Sequence, residues 1–304
     1  MLRLLAALCA LCLAAFPASA QERGLHYGLL FTNDSLGDGE DRWRTGSFAS
    51  SLAYAPGWSG ALPRGLGQLW ELRVNGQVIA PSNLQAPAPQ DRVYAQALSF
   101  GLHTHFQPNA IEYSLGGDLV VTGPITQLDH LQEIFHDIFG GRGASPAAKA
   151  AQISDDLDPA LVVEAGREFR LGHAARLRPF IEARAGVETL VRAGADLTFG
   201  RFGAGGLLVR SPVTGQRFSV IQEDAYQGVS LFMGADIAHV ASSEFIPSSG
   251  AARLRDTRSR ARAGMHWRNR SGTSLFYGLT WLGKEFATQS ETQVVGSMQL
   301  RVKF

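Results

Sequence analysis

Two residues four positions apart, Gln132 and His136, offer the clearest chance of catalysis in this chain. A neutral imidazole can take a proton from water, and a glutamine one helical turn earlier can hydrogen-bond to it or orient it. They lie in GPITQLDHLQEIFHDIFGG, residues 123–141, where Leu128, Leu131, Phe135 and Ile138 recur at helical spacing. That spacing predicts a short helix over about 125–140 with one apolar stripe, and with Asp129, Gln132 and His136 on an adjoining face. Thr126 followed by Asp129 resembles a capping box, and Gly140-Gly141 supplies a stop. Helix geometry alone fits two readings: a base presented to a substrate carbonyl, or a solvated polar face with Asp129 as a cap.

A second group of reactive residue types lies about a hundred positions earlier. Asn33, Asp34, Asp38, Glu40 and Asp41 are hard oxygen donors of the kind that suit calcium, although their spacing is not that of an EF-hand. A solvated surface loop explains the same composition. His103-x-His105 could ligate a metal, or could form the turn between two strands; His26, His173, His239 and His266 stand alone. There is no G-x-S-x-G elbow, HExxH pair, P-loop or dinucleotide fingerprint.

The elements that must position these residues are strands. Residues 1–20 read as a cleaved signal peptide: Met1-Leu2-Arg3, an apolar run to Phe16, then Ala18-Ser19-Ala20. Both cysteines, Cys9 and Cys12, fall inside it, so the mature chain has no thiolate and no disulfide. The leader's one charged residue is Arg3, and its removal leaves 27 basic against 27 acidic residues, no basis for nucleic-acid binding. From residue 21 to 304 the chain reads as one domain of alternating strands. Trp70, Leu72, Val74, Gly76 and Val78 alternate with Glu71, Arg73, Asn75 and Gln77. Further strands are expected at 93–102, 178–191 and 192–199, and Arg260, Arg262, Gly264, His266 and Arg268 should point inward opposite Ala263, Met265 and Trp267. Charges on one face and apolar residues on the other suit a polar lumen and a lipid-facing exterior, as in an all-β transmembrane antiparallel barrel of the bacterial outer membrane. The length suits about twelve strands, and a closed single-chain barrel implies a monomer. The last strand alternates up to Phe304, in the manner of an outer-membrane assembly signal.

Over essentially the whole mature length the chain resembles the outer-membrane lipid A 3'-O-deacylases. Three motifs carry the resemblance: Asn33-Asp34 at the end of the first strand, Asp41-Arg42 with Thr45-Gly46 opening the second, and Gly123-Pro124 followed by Gln132-x-x-x-His136 and Gly140. The resemblance implies a twelve-stranded barrel whose site faces outer-leaflet lipid, and calcium-dependent removal of the 3'-linked acyloxyacyl chain of lipid A, the lipopolysaccharide anchor. His136 would then be the general base that activates water, with Asn33, Asp34 and Thr45 completing the site, Gln132 orienting it and Asp34 the first candidate for a Ca2+ ligand. On this reading the helix packs against the barrel wall and aims His136 across the lumen. Arg44 stands where the family usually has tyrosine, and the loop from Pro81 to Gln90 lacks the basic residues some members carry. Two other readings share the barrel: an outer-membrane phospholipase with Ser35 or Ser47 as nucleophile, and a passive porin with the helix as a lumen plug.

Overall fold

The computed structural model describes residues 24–130, 132, 143–222 and 226–302. The leader read at 1–20, most of the predicted helix including His136, and Phe304 lie outside the described residues.

Alternating apolar and polar residues build β1 (Leu25–Asn33), β2 (Trp43–Tyr54), β3 (Trp70–Ala80), β4 (Ala95–Phe106), β5 (Glu112–Thr122) and β6 (Asp156–Gly166). The short β7 (Phe169–Leu171) precedes β8 (Ala175–Ala185) and β9 (Glu188–Phe199). A separate hairpin, β10 (Leu207–Arg210) and β11 (Arg217–Ile221), comes before β12 (Gly228–Ser243), β13 (Thr257–Arg268), β14 (Ser274–Leu282) and β15 (Gln293–Arg301). Antiparallel pairing runs in sequence order, skips the hairpin by joining β9 to β12, and closes through β1 with β15. The β6–β8 pairing bridges the short β7, which continues the line of β6. The wall therefore has twelve strands, and closure leaves no edge to satisfy in lipid.

The period of two sorts the side chains by solvent. Leu72, Phe100 and Leu161 are 49%, 46% and 64% exposed on the outer surface, whereas Glu71 and His103 are 0% exposed on the inner one. The inner charges are paired rather than bare: Glu71 accepts from Arg73 at 2.7 Å and contacts His105 at 2.6 Å, and Asp236 lies between Arg192, Arg260 and Arg262. Pairing with good geometry is what makes a buried charge tolerable. No described helix is long and apolar enough to cross a membrane.

Three expectations are corrected. His103 and His105 do not form a turn; both sit inside β4 on the lumen face, against Asp118 and Glu71, and the chain turns at 107–111. The strands expected at 178–191 and 192–199 are divided instead at Gly186-Val187, between β8 and β9. The lumen is partly filled by an element the alternation did not announce. The β10–β11 hairpin packs Leu207, Val209, Phe218 and Val220 against Leu30, Ala49, Phe232 and Phe276 of the inner wall. Gly28 permits this approach, because a Cβ there would fall 2.4 Å from the carbonyl oxygen of Ser219.

Candidate active site

The end of the barrel away from the chain termini, opposite the start of β1 and the end of β15, carries most of the long connections, and the conspicuous residues converge there on the outer surface. Asn33, Gly46, Val78 and Gln96 form one cross-strand row in β1 to β4. Directly paired residues share a face. This row belongs to the same alternation as Tyr54 and Trp70, which are 48% and 40% exposed, so it looks out of the barrel.

Thr45 joins that surface through an irregularity. In β2, Ser47, Ala49 and Ser51 turn inward, and strict alternation would send Thr45 inward as well. A bulge lies between Arg44 and Gly46. Arg44 takes the lumen side, bound to Gln77 at 2.6 Å and to Glu285 at 3.0 Å, and Thr45 is released to the outer side. Trp43, just before it, is 2% exposed and holds φ 48°, a strained value for a bulky residue, while packed against Ile246 and Phe286.

The segment after β5 lies over this surface. A 3-10 turn, Pro124–Thr126, is followed by Gln127 in the left-handed conformation, and residues 128–130 and 132 are helical. The helix thus starts at about 128, not 125. Leu128 packs on Val78, Ala80 and Tyr94 with Phe48 and Leu98 alongside, all on the outer side of the wall. Of the predicted apolar stripe, Leu128 packs on the wall from outside, and Leu131, Phe135 and Ile138 lie outside the described residues. Gln132 reaches its partners over the lipid-facing surface and not across the lumen, which the hairpin plugs in part.

Gln132 is held at both ends of its amide. Its Nε2 donates to the Thr45 hydroxyl at 3.2 Å, and its Oε1 accepts from the Tyr94 hydroxyl at 2.6 Å. Asn33 Nδ2 donates to the Thr45 carbonyl at 3.0 Å, and Asn33 Oδ1 accepts from the backbone N–H of Ser35 at 2.9 Å and from the Ser35 hydroxyl. Asn33, Thr45 and Gln132 line one cleft with Phe31, Phe48, Val78 and Leu128, polar at one end and apolar along the other.

Asp34 is next to this group but does not line the cleft. It opens the 3-10 turn Asp34–Leu36 beyond β1, is 4% exposed, and its Oδ2 has no hydrogen-bond donor among the described residues. Burial and then the nearby Asp41, with Asp38 adding less, push its carboxyl up to about 8, while backbone N–H groups of Ser35 and Arg42 work the other way. A hard cation beside Asp34 would offset the burial penalty and the repulsion together, so the donor chemistry fits calcium. No cluster of three or more histidines, cysteines or carboxylates that could hold a metal occurs among the described residues. Other oxygen donors would have to complete a coordination shell.

The capping box read from Thr126 and Asp129 is corrected. The Asp129 N–H donates to Gln96 Oε1 at 2.9 Å, and the Thr126 hydroxyl donates to the same oxygen at 3.1 Å and to the Gly123 carbonyl at 2.9 Å. A strand side chain therefore caps the helix. The Asp129 carboxylate takes Lys149 at 2.8 Å instead. Tyr94 and Gln96 are the site residues that the sequence did not single out. Nothing in their spacing signals the role, since each acts on a segment 30 or more positions away.

The profile of the family described as "Outer membrane protein LpxR" matches residues 4–304. LpxR from Salmonella typhimurium has a similar structure, with a TM-score of 0.70 at 17% identity, covering 91% of this chain and 100% of that one. The β domain of the Bordetella autotransporter BrkA gives a TM-score of 0.39 at 13% identity, covering 92% and 98%. Pseudomonas aeruginosa OccK11 gives 0.33 at 10%, covering 91% and 65%. No curated protein sequence matches. With a profile match over nearly its full length and a closed twelve-stranded barrel, the chain belongs to the LpxR family of outer-membrane proteins.

Proposed function

We propose that this protein hydrolyses the 3'-linked acyloxyacyl ester of lipid A in the outer membrane, with calcium as cofactor and His136 as general base. One observation carries the reading: Asn33, Thr45 and Gln132 meet on the outside of the barrel, at the end away from the termini, beside an apolar strip formed by Phe31, Phe48 and Val78. A lipid ester reaches such a site laterally from the bilayer, and its acyl chain follows the apolar strip. Family membership and the motifs Asn33-Asp34, Thr45-Gly46 and Gln132-x-x-x-His136 support lipid A deacylation in particular.

In this mechanism His136 accepts a proton from water as the water oxygen bonds to the ester carbonyl carbon. The carbon–oxygen bond to the sugar breaks, and the proton passes to the departing sugar oxygen. Gln132, its carbonyl committed to Tyr94, directs its N–H toward Thr45 and keeps the polar end of the cleft in one orientation. Asp34 would hold the calcium ion, which when bound polarises the ester carbonyl and stabilises the developing oxyanion.

The plugged lumen weighs against solute passage, and the Ser35 hydroxyl is engaged with Asn33. Mass spectrometry of lipid A from cells expressing wild type or His136→Ala tests the reading. Wild type should remove one 3' acyloxyacyl group and the variant none, while Ser35→Ala and Ser47→Ala should retain activity. Unchanged lipid A with wild type and calcium present would sink the proposal, and loss of activity in a serine variant would favour a phospholipase-like nucleophile.

A further inference from the structure

Away from the outer cleft, the barrel holds a cavity of about 730 Å³ at the opposite end. It lies between the inner wall and the incoming strand of the plug hairpin, and its rim is formed by the β2–β3 connection, the β7–β8 turn and residues 200–206. All three lie at the end of the barrel that carries the chain termini. The volume is in the range of small-molecule sites. Eight arginines line it against four glutamates.

Most of this charge is internally balanced. Arg178 takes Glu112 at 2.6 Å and Glu164 at 2.7 Å; Arg210 takes Glu164 at 2.8 Å and Asp196 at 2.9 Å; Arg184 takes Glu182 at 2.6 Å. Arg217 is the exception. It stands directly across the hairpin from Arg210, with Arg178 also near, and the carboxylates that act on it, Glu112, Asp196 and Glu164, are already bound to those two arginines. Among the described residues its guanidinium has no ion pair or hydrogen bond. A planar fork of five donors is thus presented to an interior cavity beside two like charges, an arrangement that costs free energy unless an anion completes it.

We propose that this cavity is a binding site for a small phosphate-class oxyanion that enters from the end of the barrel carrying the termini, with Arg217 as its anchoring cation. The tetrahedral oxygens of such an anion match bidentate guanidinium contacts, and its charge neutralises the local excess. The site is separate from the outer cleft and does not depend on what that cleft does.

The test uses the full-length barrel purified in detergent, in calcium-free buffer at constant ionic strength, titrated with inorganic phosphate. Wild type should show a saturable rise in melting temperature and a matching calorimetric binding signal, both weakening as salt is raised. Arg217→Gln should bind phosphate at least tenfold more weakly and, without phosphate, melt no lower than wild type, because a half-buried charge facing two like charges has gone. No phosphate-dependent shift in wild type, or equal shifts in both proteins, would overturn the site. Should Arg217→Gln not fold, Arg217→Lys decides: several-fold weaker binding supports the guanidinium fork, and unchanged binding overturns it.

Discussion

Gln132 and Thr45, separated by 87 positions in the chain, are joined by a hydrogen bond of 3.2 Å on the outer surface of the barrel. The bond needs three things at once: the β2 bulge that turns Thr45 outward, the packing of Leu128 on the wall, and the Tyr94 hydroxyl that takes up the Gln132 carbonyl. Gln132→Glu keeps the acceptor for Tyr94 and loses the donor to Thr45. Deacylation measured by lipid A mass spectrometry should fall by about 10- to 100-fold, in keeping with the loss of one buried, oriented hydrogen bond. Tyr94→Phe leaves the amide free to turn, and should lower turnover more than it changes the substrate concentration needed for half-saturation.

Asp34 gives the site a pH dependence whose sign follows from its surroundings. Its folded-state pKa is raised from 3.8 to about 8, so the folded protein holds a proton that the unfolded chain releases. Stability from this group is present below about pH 4 and is lost as pH rises toward 8, by up to about 1.4 kcal/mol per pH unit. In calcium-free buffer, thermal melts of wild type should fall across that window, and Asp34→Asn should flatten the dependence. Added calcium competes with the proton, so its stabilising effect should be larger at pH 8 than at pH 6. A wild-type calcium shift that is independent of pH would count against Asp34 as a ligand.

Gln96 caps the helix from a neighbouring strand, so its removal should loosen the helix without touching the barrel. Gln96→Ala strips the acceptor from the Asp129 N–H and the Thr126 hydroxyl, a loss of about 1 kcal/mol by analogy with other caps. Hydrogen exchange should quicken at residues 124–130 and stay unchanged in β3 and β4. Uniform loss of protection would mean that Gln96 supports the sheet rather than the helix.

Glu285 neutralises three arginines at the same end of the barrel. Arg44 lies 2.9 Å from it, Arg258 3.6 Å, and Arg92 is in direct contact. These cations hold its carboxyl well below the usual carboxylate range despite the opposing cost of burial. Glu285→Gln would leave that cluster with Glu188 as the carboxylate contact of Arg44 and Arg258 among the described residues. A loss of about 3–5 kcal/mol is expected from breaking such a buried pairing, seen as a lower urea midpoint of the folded barrel. Activity should drop as well, because Arg44 is the residue before Thr45.

Much of the architecture was legible from residue order. The apolar set Trp70, Leu72, Val74, Gly76 and Val78 marked the lipid side of β3, and Arg260, Arg262 and His266 marked the lumen side of β13, as found. The mistakes have local causes. His103-Thr104-His105 reads as a turn in sequence, yet it continues β4 because Asp118 and Glu71 provide partners inside the lumen. The hairpin was missed because β10 and β11 are four and five residues long and pack apolar side chains on an inner wall otherwise marked by charge.

What the sequence determined by itself is the barrel, its two faces, the outer-membrane setting and the motif residues, since period-two patterning and short motifs are local properties. What only the tertiary structure decided is the side of the wall on which the motif residues meet. Strict alternation assigns Thr45 to the lumen, and one extra residue at the bulge reverses that assignment for Thr45 while leaving the sequence pattern nearly unchanged. The partners of Gln132 are 38 and 87 positions away. They come together because four neighbouring strands pair in register and the segment after β5 folds back over their outer surface, a long-range arrangement that no window of the chain contains.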